Sequence, residues 1–189
     1  MMHPSKRETL LDTAERLFYE EGFHATGIDR VVTAAGVARM TLYNHFASKE
    51  VLAESVLERR FRRYLDDLRA AVAARGNGSA IAALAERHNE WLRTRASGGC
   101  IVLKAIAEFE RHGPAIAERG RELKRELLAL IGEALALDGR PGDDALAQRV
   151  LLVLEGANAL APVLGPGPAV EQVDSVLATL IDATEGRSA

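Results

Sequence analysis

Between residues 22 and 52 the chain reads GFHATGIDRVVTAAGVARMTLYNHFASKEVL, and a glycine in its middle limits what the stretch can become. Ile28, Val31, Val32 and Ala35 recur at three- and four-residue spacing, the period of one apolar stripe on a short helix. Gly36 stands where that helix must stop, because glycine adopts a left-handed backbone without the steric cost that other residues meet. Upstream, Thr26 and Asp29 have the spacing of a capping box and predict the helix start. A second helix can begin near Val37, with Val37, Leu42 and Phe46 on its buried side. Two short helices parted by a glycine turn form the helix-turn-helix pattern, whose second helix lies in the major groove of DNA, about 12 Å wide.

The second helix leaves Arg39, Met40, Thr41, Tyr43, Asn44 and His45 on its remaining surface, a mixture of hydrogen-bonding and apolar groups. The stretch AAGVARMTLYNHFASKEVL resembles the N-terminal domain of the TetR family of bacterial transcriptional regulators. An A-G-V turn, T-L-Y-x-H-F and S-K-E-x-L all stand in the family's order and spacing. The chain departs from the common pattern at Val32 (usually alanine), Ala38 (usually serine) and Met40 (usually glycine), positions that bear on individual contacts and on operator sequence. The resemblance implies an all-α protein with a DNA-binding domain over residues 1–50 and a ligand-binding and dimerisation domain over 51–189. Thr26 and Lys49 are expected on phosphates. Arg39, Thr41, Tyr43, Asn44 and His45 divide base reading and phosphate anchoring, and Met40 places an apolar side chain near a thymine methyl or a sugar. Lys6 and Arg7 are further phosphate candidates, on a flexible basic arm.

The rest of the chain reads as helices broken by turn signals, about nine in all. Ser5 and Glu8 form a capping box for the first, which stops at Gly22. A fourth runs from Ser48 towards Ala74, a fifth from Ser79 to Ala96, a sixth from about Cys100 to Arg111 and a seventh over roughly 115–136. An eighth spans about 143–164. Gly165-Pro166-Gly167-Pro168 is the strongest breaker in the chain, so the ninth is expected from about 169 to 184.

Helices eight and nine carry apolar stripes through Leu146, Val150, Val153, Leu154, Ala157 and Leu160, and through Val173, Val176, Leu177, Leu180 and Ile181. In the TetR family the corresponding pair meets its two-fold mate as a four-helix bundle, which makes these residues candidates for a homodimer interface. A two-half-site operator requires such an isologous contact, since its major grooves lie about 34–36 Å apart. Packing within one subunit is the plainer alternative. Gly156 is destabilising inside a helix, and close helix approach would explain it.

The family's ligand cavity is walled by helices four to seven. Here Phe61, Tyr64, Leu65, His88, Trp91, Leu92, Lys104, Phe109 and Asn158 are the candidate lining; Trp91 and Phe109 also read as ordinary core. Lys104 and Glu108 have the spacing of a helix-surface ion pair. Arg59, Arg60, Arg62 and Arg63 read as a solvated face paired with Glu58, Asp66 and Asp67 rather than as a phosphate-facing surface. Cys100, in a string resembling the sixth-helix start of one branch of the family, is a redox candidate, although free cysteine usually acts as a small buried hydrophobe.

A formal charge of −3 in 189 residues excludes a protein that coats nucleic acid nonspecifically, so DNA affinity must come from local charge. One cysteine rules out an intramolecular disulfide and a cysteine-rich zinc site. No run approaches the roughly 18 apolar residues of a membrane span, and no signal peptide is recognisable, so a cytoplasmic protein is expected. No catalytic constellation, metal site or cofactor motif is present, and the chain is expected not to be an enzyme. The expected function is a homodimeric repressor that binds double-stranded operator DNA and is released by a small-molecule effector. A thiol-based sensor using Cys100, and a helical small-molecule protein or enzyme without DNA binding, are the alternatives.

Overall fold

The computed structural model describes residues 5–185, with side chains described as far as residue 181, and every regular element among them is an α-helix. The helices are α1 (Lys6–Glu21), α2 (Ile28–Ala35), α3 (Arg39–His45), α4 (Lys49–Ala74), α5 (Ala80–Arg95), α6 (Ile101–Phe109), α7 (Pro114–Leu137), α8 (Asp144–Leu164) and α9 (Pro166–Glu185). The all-α architecture agrees with the sequence pattern.

Helix ends follow local chemistry at some places and tertiary structure at others. Ser5 and Glu8 form the expected capping box, with Glu8 N–H donating to Ser5 Oγ at 3.2 Å and Ser5 N–H to Glu8 Oε2 at 2.8 Å. Gly36 ends α2 in the left-handed conformation, φ 63°. The expected Thr26–Asp29 box is absent: Gly27 is the N-cap and makes no side-chain cap bond. The proline-rich breaker is shorter than expected, because only Gly165 leaves the helix and α9 begins at Pro166. Prolines are tolerated in a first turn, where their missing N–H would have no helical partner.

The chain divides into two compact units. One contains residues up to 62 together with 101–123, and the other contains 63–100 together with 124 onward. This partition differs from a boundary at residue 50, because α6 and the first part of α7 belong with the helix-turn-helix.

In the first unit Leu10, Leu17, Phe18, Phe23, Val31 and Leu42 have no solvent exposure. Burying each such side chain is worth about 1.5–3 kcal/mol against leaving it in water. Phe18 stacks on Phe23 at 4.9 Å, and Phe109 of α6 meets Phe23 edge-on at 5.5 Å, which explains why α6 joins this unit. On its other side α6 packs on α7 at Gly120, where a Cβ would lie only 2.7 Å from Ile106 Cγ1.

The second unit is built on α5, α8 and α9. Ile81, Leu84 and Leu92 of α5, Leu146, Val150 and Leu154 of α8, and Val170, Val173 and Leu177 of α9 are all buried. Helix α8 is long and apolar enough to cross a membrane, contrary to the expectation from the sequence, but its buried stripe belongs to this core. Asp138 caps α5 from 58 residues away, accepting from Ala80 N–H at 2.6 Å and Ile81 N–H at 3.0 Å. Burial alone would raise the Asp138 pKa, but the two backbone N–H groups and the Ser79 hydroxyl hold it below the usual value.

Candidate nucleic-acid interface and buried polar cluster

Helix α3 presents the surface that its sequence implies. Leu42 and Phe46 are buried, while Arg39, Met40, Tyr43, Asn44 and His45 are exposed and Thr41 is half-buried. Met40 is 68% exposed, a large apolar side chain left mostly in solvent. Val37 is half-buried rather than fully inside. Arg39 donates to Asp29 at 3.1 Å and lies over the Tyr43 ring at 5.8 Å, so its guanidinium is oriented before any partner arrives.

The four residues expected on phosphates take different positions. The Thr26 side chain is fully buried and its hydroxyl donates to Gly22 C=O at 2.7 Å, which removes it as a side-chain phosphate ligand. Lys49 is half-buried, with Nζ donating to His24 C=O at 3.3 Å, and burial lowers its pKa. Lys6 and Arg7 are exposed, but they form the first turn of α1 rather than a flexible arm, and Arg7 lies 5.3 Å from the Phe46 ring.

The basic cluster on α4 is only partly the expected solvated face: Arg62 is exposed, whereas Arg59 and Arg60 are drawn into bonds with α1. Glu15 of α1, itself buried, accepts from Arg59 and from Arg60 at 2.9 Å each, and Arg59 also reaches Asp12 at 2.8 Å. Arg62 pairs with Glu58, which also binds Arg119 of α7. These bonds tie α4 to α1 and α7 within the first unit. Burial would raise the Glu58 pKa, yet the two guanidinium groups bring it below its ordinary value.

Lys104 and Glu108 do not form the helix-surface pair that their spacing suggests. Lys104 Nζ donates to Tyr19 C=O at 3.1 Å. Glu108 accepts from Phe23 N–H at 3.1 Å and His24 N–H at 2.7 Å. The backbone donors it satisfies are 84 and 85 residues away, so no sequence window could have shown this role.

The candidate lining separates between the units. Phe61, Lys104 and Phe109 belong to the first, where Phe61 is buried and Phe109 packs on Phe23 and His24. Tyr64, Leu65, His88, Trp91, Leu92 and Asn158 belong to the second, and all are buried there. Tyr64 OH lies 2.8 Å from His88 Nδ1, with the Trp91 ring 5.3 Å from the Tyr64 ring.

Beside them lies a charged pair that the sequence reading missed. Lys124 Nζ donates to Glu155 at 2.5 Å, and Asn158 donates to the other Glu155 oxygen at 3.2 Å. The side chains of Lys124 and Glu155 are 13% and 15% exposed. Burial works to lower the Lys124 pKa, but Cys100 and Glu155 outweigh it, and the net shift is upward. Burial, with the Lys124 charge adding to it, pushes the His88 pKa down to about 3, so this imidazole is neutral at physiological pH. Lys124 occupies an apolar-stripe position of α7 with Gly120, Leu127 and Ile131, a signal that could have singled it out. Cys100 is half-buried immediately before α6. Among the described residues no group of His, Cys, Asp and Glu side chains is arranged to hold a metal ion.

The interface candidates divide by exposure. Leu146, Val150, Leu154, Ala157, Val173 and Leu177 are buried within the chain, Val153, Leu180 and Ile181 are half-buried, and Leu160 and Val176 are exposed. Leu152, Val163 and Leu164, not among the candidates, are 73%, 75% and 52% exposed. Among the described residues no other element comes within 4 Å of a Cβ built at Gly156, so close helix approach among them does not account for that glycine.

Residues 10–56 match the family described as bacterial regulatory proteins, tetR family. Over 63 residues the chain is 43% identical to the HTH-type transcriptional repressor KstR2 of Rhodococcus jostii; the match covers 33% of this chain and 29% of that protein. It is 27% identical over 133 residues to the Escherichia coli HTH-type transcriptional repressor NemR, covering 68% of this chain and 66% of NemR. The chain therefore spans less than two thirds of these curated relatives. Over the whole fold it is similar to the crystal structure of SCO4454, a TetR-family transcriptional regulator from Streptomyces coelicolor, with 30% identity and a TM-score of 0.82 across 93% of this chain and 95% of that one. A helix-turn-helix with an outward-facing α3, and likeness to a family member over nearly the full length of both chains, place this protein in the TetR family.

Proposed function

We propose that the protein is a sequence-specific DNA-binding transcriptional repressor that acts as a homodimer and is released from a palindromic operator by a small-molecule effector. The carrying observation is the outward face of α3, where Arg39, Tyr43, Asn44 and His45 are exposed around a buried Leu42. Such a helix supplies guanidinium, hydroxyl, amide and imidazole groups to the base edges of a major groove. Exposed Leu152, Leu160, Val163 and Leu164 on α8, with Val176 on α9, support self-association, since apolar patches of this kind mark interaction surfaces. The polar groups of the second unit, Tyr64, His88 and Asn158, support an effector site of mostly apolar character with a few hydrogen-bonding anchors. KstR2 and NemR are both named repressors, which supports the sign of regulation.

Effector binding is preferred over thiol chemistry as the release signal, because the chain has a single cysteine and no second thiol to close a disulfide within it. An enzymatic role is not proposed, and a cytoplasmic location follows from the regulatory role. Fluorescence anisotropy with DNA flanking the protein's own gene tests the reading. A sequence-selective complex that weakens steeply with salt is expected, whereas equal affinity for scrambled DNA would overturn it.

A further inference from the structure

We propose that Glu108 of α6 is a positioning residue for DNA recognition, holding the α1–α2 turn by its main-chain amides so that α2 and α3 meet DNA at one fixed pitch. The inference rests on the DNA-binding reading above. A carboxylate can accept two parallel N–H bonds, and here it does: Oε1 takes Phe23 N–H at 3.1 Å and Oε2 takes His24 N–H at 2.7 Å. The His24 ring returns the contact, with Nε2 2.8 Å from the Glu108 carbonyl. A carbonyl only accepts, so Nε2 carries the proton in this arrangement.

Two carbonyls of the turn are engaged as well, one from α4 and one from within the turn. Lys49, the first residue of α4, donates to His24 C=O at 3.3 Å. Thr26 donates to Gly22 C=O at 2.7 Å. Gly22 itself has φ +93°, and a Cβ there would stand 3.3 Å from Glu108 Oε1, so glycine leaves room for the carboxylate. One helical turn before Glu108, Lys104 Nζ donates to Tyr19 C=O at 3.1 Å and lies 4.5 Å from the Tyr19 ring centroid. The same side of α6 thus grips the end of α1 and the turn after it, while Ile106 is held against Gly120 of α7. Four residues after His24, α2 begins, and α1, α2 and α3 pack on one another. Tilting the reading helices away from α6 would break the carboxylate's bonds. Glu108 touches no face that α3 presents outward, so its effect on DNA is one of placement.

The test uses the full-length protein and an operator selected from a random-sequence DNA pool with the wild type. Affinity is measured for that operator and for versions with the half-site spacing one and two base pairs longer or shorter. Glu108→Ala is expected to weaken binding on the order of tenfold, the scale of one charge-assisted hydrogen bond. The slope of log Kd against log salt should stay unchanged, because no phosphate contact is removed. The preference for one spacing should broaden. Glu108→Asp, one methylene short, should resemble Glu108→Ala, and Glu108→Gln, which keeps one acceptor oxygen, should fall between. If the alanine variant does not fold, the near-isosteric Glu108→Gln carries the comparison. A folded variant with wild-type affinity and undiminished spacing preference overturns the proposal. Failure of the wild type to select any sequence overturns the DNA-binding reading instead.

Discussion

Arg39 of α3 donates to Asp29 of α2 at 3.1 Å, across the glycine turn that separates the two helices. The exposed guanidinium is therefore already held by a carboxylate from the neighbouring helix. Both side chains are more than half exposed, so the pair is worth about 1 kcal/mol at most.

Two substitutions separate recognition from folding at this site. Arg39→Ala should cost about 1–3 kcal/mol in operator binding and relax preference at one base per half-site, if the guanidinium makes a bidentate contact to guanine. Asp29→Asn should leave thermal stability within about 0.5 kcal/mol and strengthen binding by freeing Arg39. Anisotropy titrations against single-base operator variants check both, and a uniform loss across all sequences in Arg39→Ala would sink base reading.

Glu15 gives a stability prediction. It is buried between Arg59 and Arg60, and its replacement leaves two guanidinium groups without their shared acceptor. Glu15→Ala should destabilise the protein by about 3 kcal/mol in urea unfolding. Arg59→Ala should also destabilise it, with no change in the salt dependence of DNA binding; a shallower salt slope would show that Arg59 touches phosphate after all.

His88 makes stability depend on pH in a defined window. Its folded pKa, depressed to about 3, lies below the ordinary value of 6.5. Above 6.5 both folded and unfolded forms are neutral and nothing is lost. As pH falls below 6.5 the unfolded chain takes up a proton that the buried ring refuses, and stability drops by up to about 1.4 kcal/mol per pH unit until the folded pKa is reached. His88→Gln should flatten the loss between pH 6.5 and 5, measured by urea midpoints at several pH values. Parallel curves for the two proteins would show that His88 does not set the slope.

Exposure rather than hydrophobicity identifies the residues for testing self-association. Leu152→Glu combined with Val163→Glu should give a folded monomer in native mass spectrometry, because both positions face outward. Leu154→Ala should instead cost about 2–5 kcal/mol of stability and leave the oligomeric state alone. A double variant that remains dimeric would place the interface elsewhere.

The contrast between Leu152 and Leu154 also marks the limit of what the sequence discloses. Helical periodicity located α8 and α9 to within a few residues and identified their apolar stripes. It could not tell a stripe that packs inside the chain from one left over for another copy, since both obey the same period. On α3 the outward residues were legible, because Leu42 and Phe46 leave little choice of buried face. Thr26 was misplaced for the opposite reason: its spacing to Asp29 satisfies a local capping rule, but its hydroxyl is consumed by Gly22 and Leu17 carbonyls that only the folded turn brings near. Glu108 and Lys104 obeyed the i,i+4 rule for a surface pair and instead bind main-chain groups more than 80 residues distant. Lys124 alone carried a warning, a lysine in an apolar stripe.

The start of α9 has a further consequence. With Pro166 and Pro168 in its first turn, two of the residues there have restricted backbones even in the unfolded chain, and two amide hydrogens that would need acceptors do not exist. The corner between α8 and α9 gives up less freedom when the chain folds, and has less left to give up when another surface docks against it. Any partner meeting the exposed side of this hairpin would encounter a shape already frozen, and its affinity would be spared most of the entropic toll of ordering a loop.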